Sequence, residues 1–395
     1  MKLYKYQKEY LDKVNPNFIF DCDTGTGKTV MALEHVLRYY KNSNILIVAP
    51  ASKIKEGGWQ RTIDEHYTNV NYETCTYNML NKKYKNYKGW FIIFDECHRI
   101  KNSCGIWGKA AYELCKMATG YILLSATPIP NGWEDAINYF KIFNLTKNKT
   151  QFFNKFAETT RRWGYLEVLY WKHETELNEM WQSISKRLSK EECLDLPVLN
   201  FRNIFFKASS TYKKIKKDRI YKDEFFDNQM SLRHALRLNT NLKDKINYIK
   251  DFVESTKDNI VIFYNYVEEY NELIKVLEKT DKTIYVCNGD KKEYPKKDEW
   301  QNIKNTITLA NYKSGSEAVE FTYANIIVYF SPTESYTEYY QSYGRCYRNG
   351  QNKKVTVFKF ITKNTVEEKI YEALENKQDF SFKLWQQKEG LTQCT

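Results

Sequence analysis

Short apolar runs of three to six residues recur along the chain, separated by longer stretches of mixed polarity. The first four are Phe18 to Phe20, Asn44 to Ala49, Trp90 to Phe94 and Tyr121 to Leu124. Four more follow: Asn259 to Phe263, Thr306 to Leu309, Asn325 to Phe330 and Val355 to Phe358. Unbroken runs rich in β-branched residues suit strands buried on both faces of a parallel sheet. The segments between them read as helices. After Lys28, the residues Val30, Leu33, Leu37 and Tyr40 keep one apolar face. Near the end, Thr365 and Glu368 have capping-box spacing for a helix from Val366 to Asn376. The pattern predicts an α/β chain with two βαβ arrays, roughly 1–145 and 246–380. A charged stretch of helical patterning lies between them, with Thr211 to Asp218 as its densest part. Proline interrupts helix, so Leu194-Asp195-Leu196-Pro197 marks the boundary between lobes 1–195 and 196–395.

At 395 residues the chain exceeds one typical domain and suits two, each large enough to bury a core. The composition, 42% hydrophobic and 28% charged, is that of a soluble globular protein. No apolar run approaches a membrane span. Met1 to Tyr6 lacks the apolar core of a secretory signal, which predicts a cytoplasmic location. None of the nine cysteines forms a C-x-x-C pair, so ordinary reduced thiols are expected and a structural zinc site is not. The formal charge is +12. A basic excess is the footprint of a polyanionic partner, or equally of a lysine-rich surface kept for solubility.

Four segments carry chemistry. Asp21-Cys22-Asp23-Thr24-Gly25-Thr26-Gly27-Lys28-Thr29 follows a strand and opens a helix. That is the setting of a phosphate-binding loop, although the strict pattern would have glycine at Cys22. Thr24, Gly25, Thr26 and Gly27 would wrap phosphate with backbone N–H groups. Lys28 would reach the β- and γ-phosphates, and the Thr29 hydroxyl would hold Mg²⁺. Asp95 and Glu96 end the strand Trp90 to Phe94, where ligands bind in open α/β sheets. Asp95 is expected to hold the Mg²⁺ shell and Glu96 to orient and deprotonate the attacking water. His98 would sense the γ-phosphate, and Ser125 and Thr127 would couple hydrolysis to lobe movement. Arg345 and Arg348 are three apart and on a helix would share a face. Presented from lobe two to ATP on lobe one, they would act as arginine fingers. The order of these segments suits an ATP cleft that opens and closes.

These residues resemble the superfamily-two helicases, and within them the Swi/Snf-related DNA translocases. Asp95 to Asn102 is similar to the family's D-E-A-H-R-x-K-N box, with cysteine for alanine. Ser125 to Asn131 resembles S-G-T-P-x-x-N, and Ile47 to Ser52 with Trp59 resembles C-P-A-S…W. Leu196-Pro197 before a basic helix resembles the entry to lobe two. Gln341 to Gln351 is similar to Q-A-x-x-R-x-x-R-x-G-Q, and Thr365 to Ile370 to T-x-E-E-x-I. The resemblance covers nearly the whole chain. Arg99-x-Lys101-Asn102 and Gly350-Gln351 are its most specific parts. It implies two RecA-like lobes, each a mainly parallel sheet flanked by helices, with an ATP cleft between them. It further implies that Gln7 reads adenine, with Lys5 where the family has proline, and that Gln341 belongs to the coupling set. Ser314 to Thr322 aligns with G-G-x-G-L-N-L-T, which assigns Gly315 to the nucleotide and Thr322 to DNA, with Glu320 replacing the usual asparagine. Ser52, Lys53, Lys101 and Asn265 fall on segments that touch the DNA backbone in the family.

The expectation is therefore an ATP- and Mg²⁺-using DNA translocase or helicase that moves along or remodels DNA, with duplex or branched DNA favoured. By resemblance it acts as a monomer and is close to a minimal motor. Its Lys-, Asn- and Tyr-rich composition points to an AT-rich genome, that of a bacteriophage or small bacterial element, and so to a host cytoplasm. Two alternatives remain open: an RNA helicase of the DExH type, and an ATP-gated nucleic-acid clamp that does not turn over. The Arg-x-Lys-Asn extension speaks against the first, and intact Glu96, Arg345 and Arg348 against the second.

Overall fold

The computed structural model describes residues 3–67, 70–162, 165–222, 224–315 and 319–381. The chain divides into two units, Met1–Leu194 and Asp195–Thr395. In the first unit the strands are β1 (Phe18–Cys22), β2 (Ile45–Ala49), β3 (Tyr72–Thr76), β4 (Phe91–Asp95), β5 (Gly120–Ser125), β6 (Ala157–Arg162), β7 (Tyr165–Trp171) and β8 (Ser185–Leu188). Six of them form one sheet in the order β3-β2-β4-β5-β1-β8, with every neighbouring pair parallel. In the second unit they are β9 (Leu199–Phe206), β10 (Ile220–Tyr221), β11 (Glu224–Phe225), β12 (Ile260–Tyr264), β13 (Thr283–Cys287), β14 (Thr306–Asn311), β15 (Ile326–Tyr329) and β16 (Val355–Thr362). Its sheet runs β13-β14-β12-β15-β16-β9 and is likewise parallel throughout.

Alternation of side chains across each strand explains why the central strands carry apolar residues at successive positions. Leu46, Val48, Ile92, Phe94 and Leu123 enter the core on one face of the first sheet. Ile45, Ile47, Phe91, Ile93, Ile122 and Leu124 enter the core on the other. The second sheet is sandwiched in the same way, with Val261, Phe263 and Ile327 on one side and Ile260, Ile262 and Val328 on the other. Each such buried side chain contributes about 1.5–3 kcal/mol relative to exposure. The α/β class expected from the sequence thus holds in both units. No helix among the described residues is long and apolar enough to cross a membrane.

Four details differ from the sequence reading. The helix Lys28–Tyr39 buries Met31, Ala32, Leu33, His35 and Val36, a wider arc than Val30, Leu33, Leu37 and Tyr40. The stretch between the two arrays is not wholly helical. It supplies the β6–β7 hairpin and the edge strands β8 and β9. After Pro197 the chain enters β9 first, and the basic helix Ser210–Asp218 comes later. At the helix Val366–Glu375, Thr365 Oγ1 accepts from Glu367 N, but the Glu368 carboxylate accepts from Asn364 N rather than from the cap residue. Glu367 turns inward instead, where it meets Lys245 at 2.5 Å with both side chains 2% exposed.

Candidate functional site

In the first unit, four strand ends converge. β1 runs into the loop Asp23 to Gly27, and the helix Lys28–Tyr39 begins immediately after it. Gly25 and Gly27 have φ of +86° and +83°, a region that costs other residues strain. Glycine at position 27 has a second cause. A Cβ there would lie 2.4 Å from Gln7 Nε2. That buried amide donates to Thr26 O at 3.1 Å, and the Tyr6 hydroxyl reaches the same carbonyl at 3.2 Å. The residue expected to read adenine therefore also braces the loop. Thr26 Oγ1 donates to Asp23 O at 2.8 Å. Lys28 Nζ donates to Cys22 O at 2.7 Å and Asp23 O at 3.1 Å, which holds it across the loop. Burial pushes the Lys28 ammonium down, and the field of Glu96 opposes that shift. Burial also pushes the Cys22 thiol up to about 12, so it stays neutral where the strict pattern has glycine.

The acids stand at the end of β4. Glu96 has φ +57°, a left-handed conformation outside glycine that costs of order 1–3 kcal/mol. This conformation turns the chain into the 3₁₀ turn Cys97–Ile100. Lys53 Nζ lies 3.2 Å from both Asp95 carboxylate oxygens and 2.8 Å from Glu96 Oε1. Trp59 Nε1 donates to Asp95 Oδ2 at 3.0 Å, and Tyr77 OH to Asp95 O at 2.8 Å. His98 Nδ1 is 3.4 Å from Glu96 Oε2 and 3.3 Å from Ser125 Oγ, which in turn accepts from Thr127 N at 3.1 Å. Burial alone would raise the Glu96 carboxyl. Lys53, His98 and Lys28 outweigh it and hold the group well below the usual carboxylate range. Glu96, His98, Ser125 and Thr127 are thus brought into one chain of contacts.

Two residues expected to contact DNA are placed here in ion pairs. Lys53 sits between the acids as their counter-cation, and the Lys101 ammonium is 2.8 Å from Asp135 Oδ2, pinned against the helix Trp133–Ile142. Ser52 lies beside Lys53 on the short helix Ala51–Glu56.

In the second unit the structure revises the arginine segment. The helix Tyr336–Tyr343 ends at Gly344, so Arg345 and Arg348 lie in the turns that follow it. Gln341 is buried within that helix. Arg345 is buried, and its carbonyl accepts from Phe321 N at 2.9 Å. Arg348 is 3.0 Å from Glu320 Oε1, and Lys297 is 3.0 Å from the other oxygen of that carboxylate. The acid that replaces the family's asparagine is therefore the partner of an expected finger. Gln351 Nε2 donates to the carbonyls of Thr322, Ala324 and Cys346, which ties the two segments together. Thr322 is buried beneath this tie, and Asn265 Nδ2 donates to Ser331 Oγ at 2.8 Å and Pro332 O at 2.9 Å. Both side chains are thus engaged within the second unit, Thr322 buried and Asn265 half-buried. Gly315 closes the short helix Tyr312–Gly315. Ser316, Glu317 and Ala318 of the same segment lie outside the described residues.

Sequence reasoning missed Arg187. From edge strand β8 it lies beside Asp21 in register, bonds Asp21 Oδ1 at 2.6 Å and Ala126 O at 2.9 Å, and also pairs with Asp23. It thus joins the loop after β1 to the turn after β5. Nothing in Ser185-Lys186-Arg187-Leu188 signals this role, since the partners lie more than sixty residues away in sequence.

The first-unit site fits a nucleoside triphosphate with a divalent cation. Two left-handed glycines shape a concave loop at a helix N-terminus, which attracts anions. The buried Thr24 Oγ1 has no hydrogen-bond partner among the described residues, as expected of a group that meets a ligand. Asp95 and Thr29 offer oxygen donors of the kind Mg²⁺ takes.

Three family models match successive parts of the chain. The family "Type III restriction enzyme, res subunit" matches residues 1–86, "SNF2-related domain" matches 73–255, and "Helicase conserved C-terminal domain" matches 244–350. An uncharacterized ATP-dependent helicase of Mycoplasma genitalium is 24% identical, covering 95% of this chain and 42% of the relative. The SWI/SNF-related matrix-associated actin-dependent regulator of chromatin subfamily A-like protein 1 of Xenopus tropicalis is 22% identical, covering 90% of this chain and 42% of its own. Among solved structures, the Sulfolobus solfataricus SWI2/SNF2 ATPase core in complex with dsDNA aligns with a TM-score of 0.46 and 19% identity, covering 98% of this chain and 92% of that one. The chain spans less than half the length of the curated relatives it matches.

Proposed function

The chain belongs to the superfamily-two helicases of the Swi/Snf-related type, and from that premise we propose that it is an ATP-dependent DNA translocase. Residues 1–195 form its ATP-binding lobe and residues 196–395 its helicase lobe. The observation that carries this reading is the closed set of contacts at the end of β4. There a strongly acidic Glu96 carboxyl, oriented by His98 and Ser125, stands with Asp95 beside the phosphate loop. A carboxylate held ionised accepts hydrogen bonds and can orient an attacking water.

In this reading the loop from Thr24 to Gly27 and the Lys28 ammonium bind the phosphates, and Gln7 holds the adenine side. Asp95 and Thr29 would hold Mg²⁺, which would supply neutralisation of phosphate charge when bound. Glu96 orients water. Arg345 and Arg348 provide the positive charge that phosphoryl transfer needs. His98, Ser125, Thr127 and Gln341 relay the nucleotide state. The partner is DNA, duplex or branched, gripped through its backbone, and the protein works as a monomer in a cytoplasm.

The test is ATP hydrolysis by the purified protein, alone and with duplex DNA, single-stranded DNA or RNA, with Glu96→Gln as control. Stimulation by DNA of tenfold or more, lost in the variant, is the expected result. Equal rates with and without nucleic acid would overturn the DNA-motor assignment, and stimulation by RNA alone would replace it with an RNA helicase.

A further inference from the structure

The second unit carries a basic cavity that no motif of the nucleotide site uses. It opens where the outermost strand β9 and its neighbour β16 both end. Lys363 follows β16, and its backbone N–H donates to Phe206 O at 2.9 Å. Beyond β9 the chain forms the helix Ser210–Asp218, which buries Tyr212 and Ile215 and turns Lys213, Lys216 and Lys217 outward. These three lysines, together with Lys207, Lys363 and the Phe205 ring, line a cavity of about 730 Å³. No acidic side chain lines it among the described residues. The chain carries 49 acids against 61 basic residues, so a wall of five lysines without an acid departs from the mixture found elsewhere. Five ammonium groups around one concavity repel one another, which favours a polyanion inside it.

Phe205 narrows the choice of polyanion. It is 52% exposed, and Lys363 Nζ stands 4.3 Å over its ring. An exposed aromatic flanked by lysines is the arrangement that binds unpaired nucleic acid, with phosphates on the ammonium groups and a base stacked on the ring. A duplex presents its bases already stacked and paired and would leave the ring unused. The volume of this open cavity lies within the range of small-ligand pockets, which suits a few unpaired nucleotides.

We propose that this cavity is a binding site for single-stranded nucleic acid, separate from the ATP site. It would hold a strand displaced or exposed by whatever the motor acts upon.

The test is fluorescence anisotropy of a labelled oligothymidylate with the full chain, without nucleotide, at several salt concentrations. Inorganic polyphosphate and a duplex of equal length serve as competitors. Lys213→Glu combined with Lys217→Glu is expected to weaken the oligonucleotide at least tenfold. Removing one ammonium from a phosphate flattens the single-strand salt slope by about 0.7, so the double variant should lower it by about 1.4. Phe205→Ala is expected to weaken the oligonucleotide several-fold and leave polyphosphate competition unchanged. The ATP hydrolysis measured without nucleic acid should stay unchanged in both variants, which shows that they fold and separates this result from the fate of the motor assignment. Unchanged oligonucleotide affinity in the lysine variant would overturn the proposal. Loss of oligonucleotide and polyphosphate in parallel, with no effect of Phe205→Ala, would overturn the single-strand assignment and leave a general anion patch.

Discussion

Lys53→Met removes the cation between Asp95 and Glu96 and keeps the length and much of the apolar stem of the side chain. In the wild type that ammonium makes contacts of 3.2, 3.2 and 2.8 Å to the two carboxylates, whose side chains are 6% and 10% exposed. Removing one partner of a fully buried ion pair costs about 3–5 kcal/mol. Lys53 is 22% exposed, so solvent screens part of this, and about 1–3 kcal/mol is the expected loss. For a unit of this size about 2–4 °C accompanies each kcal/mol, so the melting temperature should fall by several degrees at neutral pH.

The pH dependence has a definite sign. The folded Glu96 carboxyl titrates well below its ordinary value, against the pull of burial and chiefly because of Lys53. A depressed carboxylate adds stability that is fully present above its unfolded value and disappears as the pH falls through its folded value. The gap between wild type and variant should therefore be widest at neutral pH and narrow as the pH falls through the depressed Glu96 value. Millimolar Mg²⁺ alone should partly restore the variant, because two carboxylates without a counter-cation attract it, and should raise the wild type less. The assay is thermal unfolding followed by circular dichroism across pH, with and without Mg²⁺, together with titration of a fluorescent ATP analogue. A variant as stable as wild type at neutral pH, with the same response to Mg²⁺, would refute the assignment of Lys53 as the resident counter-cation.

Two further predictions concern the second unit. Glu320→Asn restores the family residue and frees Arg348 from its 3.0 Å partner. If Arg348 is a finger restrained by that pair, hydrolysis without DNA should rise a few-fold and stimulation by DNA should shrink, as steady-state assays would show. An unchanged ratio of basal to stimulated rate would remove Glu320 from the mechanism. Lys245→Met strips the partner from buried Glu367, which also accepts from Thr240 Oγ1 and Thr362 N, and should cost about 3–5 kcal/mol in urea unfolding. Adding Glu367→Gln to that variant should cost less than Glu367→Gln costs alone, and strict additivity of the two would show that the pair is not coupled.

The legible part of this protein is the part whose physics is local. β2 is Ile-Leu-Ile-Val-Ala because a strand covered on both faces has no polar side, so a run of five residues declares both the element and its depth. Asp21 to Thr29 declares a phosphate loop because strand, glycine turn and helix start are contiguous in the chain, and each glycine answers a positive φ. β8 was missed for the converse reason. Ser185 to Leu188 is an edge strand half open to solvent, so it carries no apolar run. β9 has the same difficulty, with Phe201 and Phe205 exposed on its outer face.

Side-chain roles divide along the same line. Glu96, His98, Ser125 and Thr127 could be grouped from sequence because each stands at a strand end, where a parallel sheet gathers its chemistry. Lys53 could be assigned to that edge but not to a partner, since the last turn of an ammonium side chain is set by the nearest uncompensated charge. With Asp95 and Glu96 side by side in a buried corner, that charge lies inside the site. The same argument accounts for Glu320. A carboxylate where the resembled motif has an amide looks like a broken motif when read alone, yet next to Arg348 and Lys297 it completes a charge balance. At Glu320 the departure from the family pattern and the unexpected ion pair are one fact, whereas at Lys53 the ion pair forms with the Asp95-Glu96 motif intact. Each charged position is balanced by a resident side chain: Lys53 between Asp95 and Glu96, and Glu320 between Lys297 and Arg348.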